Sequence, residues 1–370
     1  MTDRRLDIVS IDDWGLFDEQ PLKVIAGPCS AESRSQVLRT AEQLRCQGVS
    51  VYRAGLWKPR THPGSFEGVG HEGLEWLLEA REQFGVRIAT EVAGASHVQE
   101  CLDAGVDLVW IGARTTASPF LMQEIAEALA GTDIPVLVKN PVNPDLELWI
   151  GALERLSRAG VKKLGVIHRG FSTYEKQRYR NDPQWQIAIE LRSRFPHLPF
   201  FVDPSHLAGN TEYVEEIAQR SLDLGFDGLM FEAHHCPSEA LSDADQQLTP
   251  CQLGDLLSNK LVVRASDIDS PQWHETIDEL RAKIDVLDET LIKTLAARMR
   301  VCRQIGEYKK ANNVAILQTS RWDEVLEKVV EKGADYGLAK KFVTAVFNTI
   351  HEESVETQNQ ILSGLSSQSR

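Results

Sequence analysis

The sequence predicts an α/β fold, a (β/α)8 barrel of the TIM type, followed by a separate all-α domain of three helices. Three observations carry this. Eight short β-rich apolar runs fall within about 235 residues, each followed by a helical pattern, and strands alternating with helices imply parallel βαβ units. A count of eight is what closure into such a barrel needs. Beyond residue 258 strand signals stop, and apolar residues recur every three or four positions for nearly thirty residues.

The eight runs are "VIAGPC" from 24, "VSVYRAG" from 49, "RIATEV" from 87, "LVWIG" from 108, "VLVKN" from 136, "KLGVIHRG" from 163, "FFVDPS" from 200 and "GLMFEA" from 228. Between them lie amphipathic stretches such as "RSQVLRTAEQLRCQG" and "TEYVEEIAQRSLDLG", closing on Gly as helix C-termini do. An open doubly wound sheet is the alternative, and it ranks lower because no GxGxxG opens the first helix. The reading places the barrel domain at 1–257 and a polar linker at 258–272. In the helical domain, 273–362, Ile277, Leu280, Ile284, Leu287, Leu291, Leu295, Met299, Cys302 and Ile305 mark one long amphipathic helix. Two shorter helices follow at about 320–333 and 338–362, and 363–370 reads as a disordered tail.

Charge and cysteine usage narrow the function. The formal charge of −14 disfavours a nucleic-acid partner, which needs a basic field. It leaves room for an anionic small molecule, because local cations outweigh a global balance. No run reaches the roughly 18 apolar residues of a membrane span, and the acidic N-terminus shows no signal peptide. Six scattered cysteines without a CxxC fit a reducing cytoplasm.

In such a barrel the site lies at the C-terminal strand ends. Those ends carry Cys29, Arg53, Glu91, Arg114, Lys139, Arg169, Asp203 with His206, and Glu232, while the following loops add Lys58, Arg60, Thr61 and Asp243. Two sets emerge. Cys29, His206, Glu232 and Asp243 mix thiolate, imidazole and carboxylate, which suits one divalent first-row transition metal. Arg53, Lys58, Arg60, Arg114, Lys139 and Arg169 form a cationic ring suited to phosphates and carboxylates. "HHCP" at 234–237 is a rival ligand cluster, but adjacent residues on an extended segment point to opposite faces; His235 reads as surface and His234 as lying behind the site.

With "AGPCS", "KPRT", "IGART", "VDPSH" and "ALSDADQQL" in this order, residues 15 to 257 resemble the microbial metal-dependent 3-deoxy-D-arabino-heptulosonate 7-phosphate (DAHP) synthases of the short type I subfamily. The resemblance implies condensation of phosphoenolpyruvate with erythrose 4-phosphate, the entry to the shikimate pathway. It assigns the metal, manganese or a related ion, to Cys29, His206, Glu232 and Asp243. It sets phosphoenolpyruvate against Arg53, Lys58, Arg114, Lys139 and Arg169, and the aldose phosphate against Arg60 and Thr61. Lys58 becomes the candidate proton donor and Glu91 the group that orients water. The sugar-acid synthases that use arabinose 5-phosphate are the rival within the fold; "KPRT" and the cysteine favour the four-carbon substrate.

"ELRAKIDVLDETLIKTLAARMRVCRQIGEYKK" and the later "HEESVETQ" resemble the all-helical chorismate mutases. This implies a chorismate site made by Arg281, Arg298, Lys309, Arg321, Ser354 and Gln358, with Lys309 and Gln358 on the ether oxygen. The pattern departs at two places: Gln318 stands where relatives have an acid, and Trp322 where they have a glutamate. Two other readings of the helices are a prephenate- or chorismate-sensing module and an inert dimerisation bundle. On one continuous helix Arg298 and Lys309 are ~16 Å apart, whereas Arg281 lies ~26 Å before Arg298. If all three serve one pocket, Arg281 comes from a second chain, and the domain is a two-fold homodimer. Feedback by prephenate or chorismate on the synthase is the further expectation.

Overall fold

The computed structural model describes residues 6–18, 22–58, 64, 66–174, 177–265, 268–316 and 319–363, the side chains of 319–321 excepted. The chain divides into two compact units, Met1–Ser266 and Asp267–Arg370.

In the first unit eight parallel strands close into a barrel in sequence order. They are β1 (Lys23–Gly27), β2 (Val51–Arg53), β3 (Arg87–Val92), β4 (Leu108–Ile111), β5 (Val136–Lys139), β6 (Leu164–His168), β7 (Phe200–Val202) and β8 (Gly228–Glu232). The last strand pairs with the first over five residues, from Lys23 opposite Gly228 to Gly27 opposite Glu232. Around them run α1 (Arg34–Cys46), α2 (His71–Phe84), α3 (Ala95–Ala104), α4 (Ala113–Thr116), α5 (Pro119–Ala128), α6 (Leu146–Arg158), α7 (Trp185–Arg194), α8 (Pro204–Ala208), α9 (Val214–Asp223) and α10 (Pro250–Asp255). A π-helical turn, Leu256–Lys260, continues from α10 into the segment expected to be a polar linker. Leu256 there is buried, which gives that turn an anchor on the barrel.

Two apolar layers hold the barrel. Strand residues such as Val24, Tyr52, Val109, Val138 and Val166 pack outward against the helices. Ile25, Val51, Ala89, Leu108, Leu137, Ile167, Phe201 and Met230 form a second cluster, which Trp14 and Leu16 join. Each of these eight comes from a different strand, as the fill of a barrel interior does. Because side chains alternate along a strand, the residues two positions further on share that orientation. They are Gly27, Arg53, Glu91, Trp110, Lys139, Arg169, Asp203 and Glu232. The apolar plug thus gives way, at the C-terminal mouth, to a polar layer.

The second unit contains α11 (Pro271–Ala311), α12 (Thr319–Asp335) and α13 (Lys340–Ser363). Ser270 caps α11 through Trp273 N–H, with Pro271 at its first position, and the helix then runs 41 residues unbroken. Its buried residues are Cys302 and Gly306, where α13 packs closely; a Cβ on Gly306 would come within 3.2 Å of Gln358 Cγ. Among the described residues no helix is long and apolar enough to cross a membrane.

Candidate active site at the barrel mouth

Four segments bring the expected metal ligands together. Cys29 follows β1, Glu232 ends β8, and Asp243 lies in the loop beyond it. Donor atoms of these three lie within 4.8 Å of one another. Cys29 Sγ donates to Asp243 Oδ2 at 3.3 Å. His206 arrives on α8, which "DPSH" builds: Asp203 caps it by accepting from His206 N–H at 3.0 Å, and Pro204 occupies the first helical position. His206 Nδ1 lies 2.7 Å from Asp203 Oδ2, and Nε2 lies 3.7 Å from Glu232 Oε1. Asp203 thus stands behind the imidazole on its Nδ1 side, leaving Nε2 on the side of Glu232. Asp243 adopts φ 49°, ψ 40°, a left-handed conformation uncommon for a non-glycine residue though more open to Asp than to most.

The electrostatics of this donor set suit a cation. Burial, then Glu232 and Asp243, push the Cys29 thiol up to about 12, against the opposing pull of Lys58 and Arg53. A divalent ion among the three donors reverses that, since the thiolate is the liganding form. Burial lowers the His206 imidazole, against the upward pull of Asp203 and Glu232. Although burial opposes it, Arg180 beside Asp243 holds that carboxyl well below the usual range.

The cations converge on the same mouth. Arg53, fully buried, donates to Glu232 Oε1 at 3.1 Å and lies 4.8 Å over the Trp110 ring. Lys139 Nζ donates to Asp203 Oδ2 at 3.0 Å. Lys58 Nζ donates to the Cys29 carbonyl and, at 3.3 Å, to its sulfur. Arg169 is aimed by Asn140, whose Oδ1 accepts from Arg169 N–H at 2.7 Å, and by Asn181, whose Oδ1 accepts from Nη1 at 2.8 Å. Burial pulls Arg169 down to about 10, against Asp203 and with the help of Arg180 and Arg114. A guanidinium crowded by like charge is relieved by an anion. Arg114 is exposed on α4, whose N-cap is Gly112. Glu91 accepts from Trp110 Nε1 at 3.0 Å, and a Cβ on Gly112 would come within 2.1 Å of its Oε1, so Gly112 leaves room for that carboxylate. Arg60 and Thr61 lie outside the described residues.

Sequence reasoning missed Arg180, which donates to Asp243 Oδ1 at 2.9 Å. It sits in an irregular segment between β6 and α7, where no strand end advertises it. His235 is half-buried rather than surface, its Nδ1 3.3 Å from Thr40 Oγ1. His234 is buried, with Nε2 3.9 Å from Glu32 Oε2.

In the helical unit Arg298, Ser354 and Gln358 come together, whereas Lys309 and Arg281 bond to residues outside the expected set. Arg298 donates to Ser354 Oγ at 2.5 Å, and Gln358 is buried one turn along α13, its Nε2 donating to Ser354 O at 3.3 Å. Gln358 Oε1 is buried without a partner. Lys309 donates to Ile316 O at 2.5 Å. Arg281 is exposed and pairs with Asp278, one turn before it on α11, at 3.5 Å. Arg321 lies on α12, its side chain outside those described. Trp322 stacks on His351, ring centroids 3.9 Å apart and 13° from parallel.

A closed parallel barrel whose mouth joins buried cations to a thiol–carboxylate cluster defines a class of enzyme acting on small anions. Residues 15–263 match the DAHP synthetase I family and residues 280–359 match chorismate mutase type II. The chain belongs to the DAHP synthetase I family and carries a chorismate mutase type II domain. It is 35% identical over 226 residues to phospho-2-dehydro-3-deoxyheptonate aldolase of Thermotoga maritima, a match covering 61% of this chain and 64% of that protein. It is 29% identical over 270 residues to 2-dehydro-3-deoxyphosphooctonate aldolase of Desulfotalea psychrophila, covering 67% and 91%. The crystal structure of the Thermotoga maritima DAHP synthase superposes with a TM-score of 0.59 at 31% identity, over 68% of this chain and 75% of that one.

Proposed function

We propose that the barrel condenses phosphoenolpyruvate with erythrose 4-phosphate to DAHP and inorganic phosphate with one divalent metal ion, and that the helical domain rearranges chorismate to prephenate. The observation that carries the first part is the convergence of Cys29, Glu232 and Asp243 within 4.8 Å at a mouth that also holds the buried cations Arg53 and Lys139. Cys29, Glu232 and Asp243, with His206 Nε2 next to them, would hold the ion. When bound, it supplies Lewis-acid polarisation of the aldehyde.

The chain's own residues supply the rest. Arg53, Lys139 and Arg169 hold the carboxylate and phosphate of phosphoenolpyruvate, with Arg114 at the rim, and fix its C3 against the aldehyde carbon. The enol π pair forms the C–C bond, and Lys58 delivers a proton to the new alkoxide. Positive charge at C2 is taken by water, whose proton passes to Glu91. The C2–O bond to phosphate then breaks as the remaining C2 hydroxyl proton passes to the departing phosphate and the ketone forms, and the cations hold the leaving phosphate. Arg60 and Thr61 receive the aldose phosphate in this reading. With metal added back to stripped enzyme, erythrose 4-phosphate should turn over and arabinose 5-phosphate should not; the reverse preference overturns the substrate assignment.

In the helical domain, arginines take the two carboxylates of chorismate while Lys309 and Gln358 donate to the ether oxygen. Arg281 belongs to a partner copy in this reading, because a straight helix separates it from Arg298 by ~26 Å. The Trp322–His351 stack favours a second reading, a site that binds chorismate or prephenate without turnover, since the ring fills a position where hydroxyl recognition is expected. Chorismate disappearance in the full chain decides between them. Prephenate bound there changes the synthase rate, and barrel ligands change prephenate affinity by the same coupling; an unchanged synthase rate at saturating prephenate removes the feedback.

A further inference from the structure

We infer that Gln246 and Gln247 are positioning residues that pre-assemble the thiol–carboxylate cluster by bridging its ligand-bearing segments. This rests on the metal reading of that cluster.

The two glutamines follow Asp243 at the point where the chain turns back along the end of β8. Leu248 N–H donates to Glu232 O at 3.0 Å, and His234 N–H donates to Leu248 O at 2.9 Å. Consecutive side chains entering an extended segment diverge, and these two do. Gln246 reaches Glu232: its Nε2 donates to Glu232 Oε2 at 2.6 Å while its Oε1 accepts from Arg180 Nη1 at 2.7 Å. The same Arg180 nitrogen donates to Asp243 Oδ1 at 2.9 Å. Gln246 therefore ties the Glu232 carboxylate, through Arg180, to that of Asp243.

Gln247 reaches the other way. Its Oε1 accepts from Cys29 N–H at 3.0 Å, and its Nε2 donates to Ser242 O at 2.9 Å. It joins the loop after β1 to the residue immediately before Asp243. A second tie runs in parallel, with Ser242 Oγ 2.5 Å from Ser30 Oγ and Ser30 donating to Glu32 Oε1 at 3.1 Å. Both glutamines are almost fully buried.

The residue type follows from this geometry. Each position needs one donor and one acceptor on a single planar group, which the glutamine carboxamide offers without a change of protonation state. Flipping either amide sets donor against donor and carbonyl against carbonyl or carboxylate. Such ties also account for how Asp243 keeps its left-handed backbone, a conformation that persists only where its surroundings over-determine it. Groups that orient ligands in this way typically carry a 10–100-fold effect on metal affinity.

The test is Co(II) binding to the metal-stripped full-length enzyme, followed by thiolate-to-cobalt absorption. Gln247→Met removes both bonds at constant length; Gln247→Asn keeps the amide but is one methylene too short to bridge. Gln246→Met does the same on the other side. Each should bind Co(II) roughly 10–100-fold more weakly than wild type, with the loss in synthase turnover largely restored at saturating metal. Ser221→Ala removes a buried hydroxyl that donates to Ile217 O within α9 and should leave affinity unchanged. If Gln247→Met does not fold, Gln247→Asn carries the same expectation. Folded variants of both glutamines with wild-type affinity and absorption overturn the inference. If wild type shows no absorption band that Cys29→Ala abolishes, the metal reading falls first and takes this one with it.

Discussion

The barrel and the helical unit stand at opposite ends of self-sufficiency. In the barrel every strand contributes to both apolar layers, and the donor atoms of Cys29, Glu232 and Asp243 lie within 4.8 Å of one another inside one chain. Along α11, by contrast, Leu280, Ile284, Leu287, Leu291 and Leu295 follow one helical face and are 39–63% exposed. Soluble proteins seldom leave so continuous an apolar stripe to water. Arg281 shares that exposed half of the helix, while Arg298, Ser354 and Gln358 gather at the other half. A closed sheet satisfies itself because its last strand bonds its first; a long helix buries only the face another helix covers.

The sharpest way to break this comparison is to disable one region and watch the other. Cys29→Ala should lower DAHP formation by on the order of 1000-fold, the several kcal/mol a metal supplies, and leave chorismate turnover unchanged. Full synthase rate in the metal-stripped protein refutes the ligand assignment.

The incompleteness of the helical unit is tested by mixing. Arg281→Ala and Arg298→Ala should each cost on the order of 100–1000-fold in chorismate turnover. Co-expressed, random pairing should restore roughly a quarter of wild-type activity, through heterodimers with one intact site. No recovery, with heterodimers demonstrated, places Arg281 outside the site.

A third outcome concerns the barrel alone. His168 is fully buried beside Trp149, Phe171 and Trp185, and burial pulls its imidazole down to about 4. Between that value and the ordinary 6.5 the unfolded chain binds a proton that the folded chain refuses. Stability should therefore fall as pH drops from about 6.5 to about 4, by about 3 kcal/mol, and this contribution should level off below. His168→Leu should flatten that slope in denaturant titrations of barrel unfolding; an unaltered slope excludes His168 as its source.

The smallest effect lies in the loop that carries Lys58. Trp57 stacks on His97 at 4.1 Å, 8° from parallel, which holds the residue before Lys58 against α3. His97→Ala should cost about 1 kcal/mol, read as a several-fold rise in KM for the aldose phosphate, and His97→Phe should recover most of it. Equal KM values in all three proteins would show that the stack does not position the loop.

Much of this was legible in the chain. Alternation marks each strand, and the polar residues two positions beyond the inward apolar layer, Arg53, Glu91, Lys139, Arg169, Asp203 and Glu232, are readable by counting. "DPSH" announces its own cap, and heptad-like spacing announces α11. Arg180 was not legible as a site, because nothing local distinguishes it from other loop arginines, and Gln246 and Gln247 stood out only as part of "ALSDADQQL", without a role of their own. Their meaning arises only where an irregular segment, a β8 extension and the end of β1 meet, contacts separated by as many as 218 positions. The sequence by itself determined the strand count, the succession of one long and two shorter helices and the kinds of group at each strand end, since these depend on neighbours along the chain. Tertiary structure alone decided which side chains share a hydrogen bond and which apolar face of α11 is left uncovered, since those depend on closure and on what else packs in space.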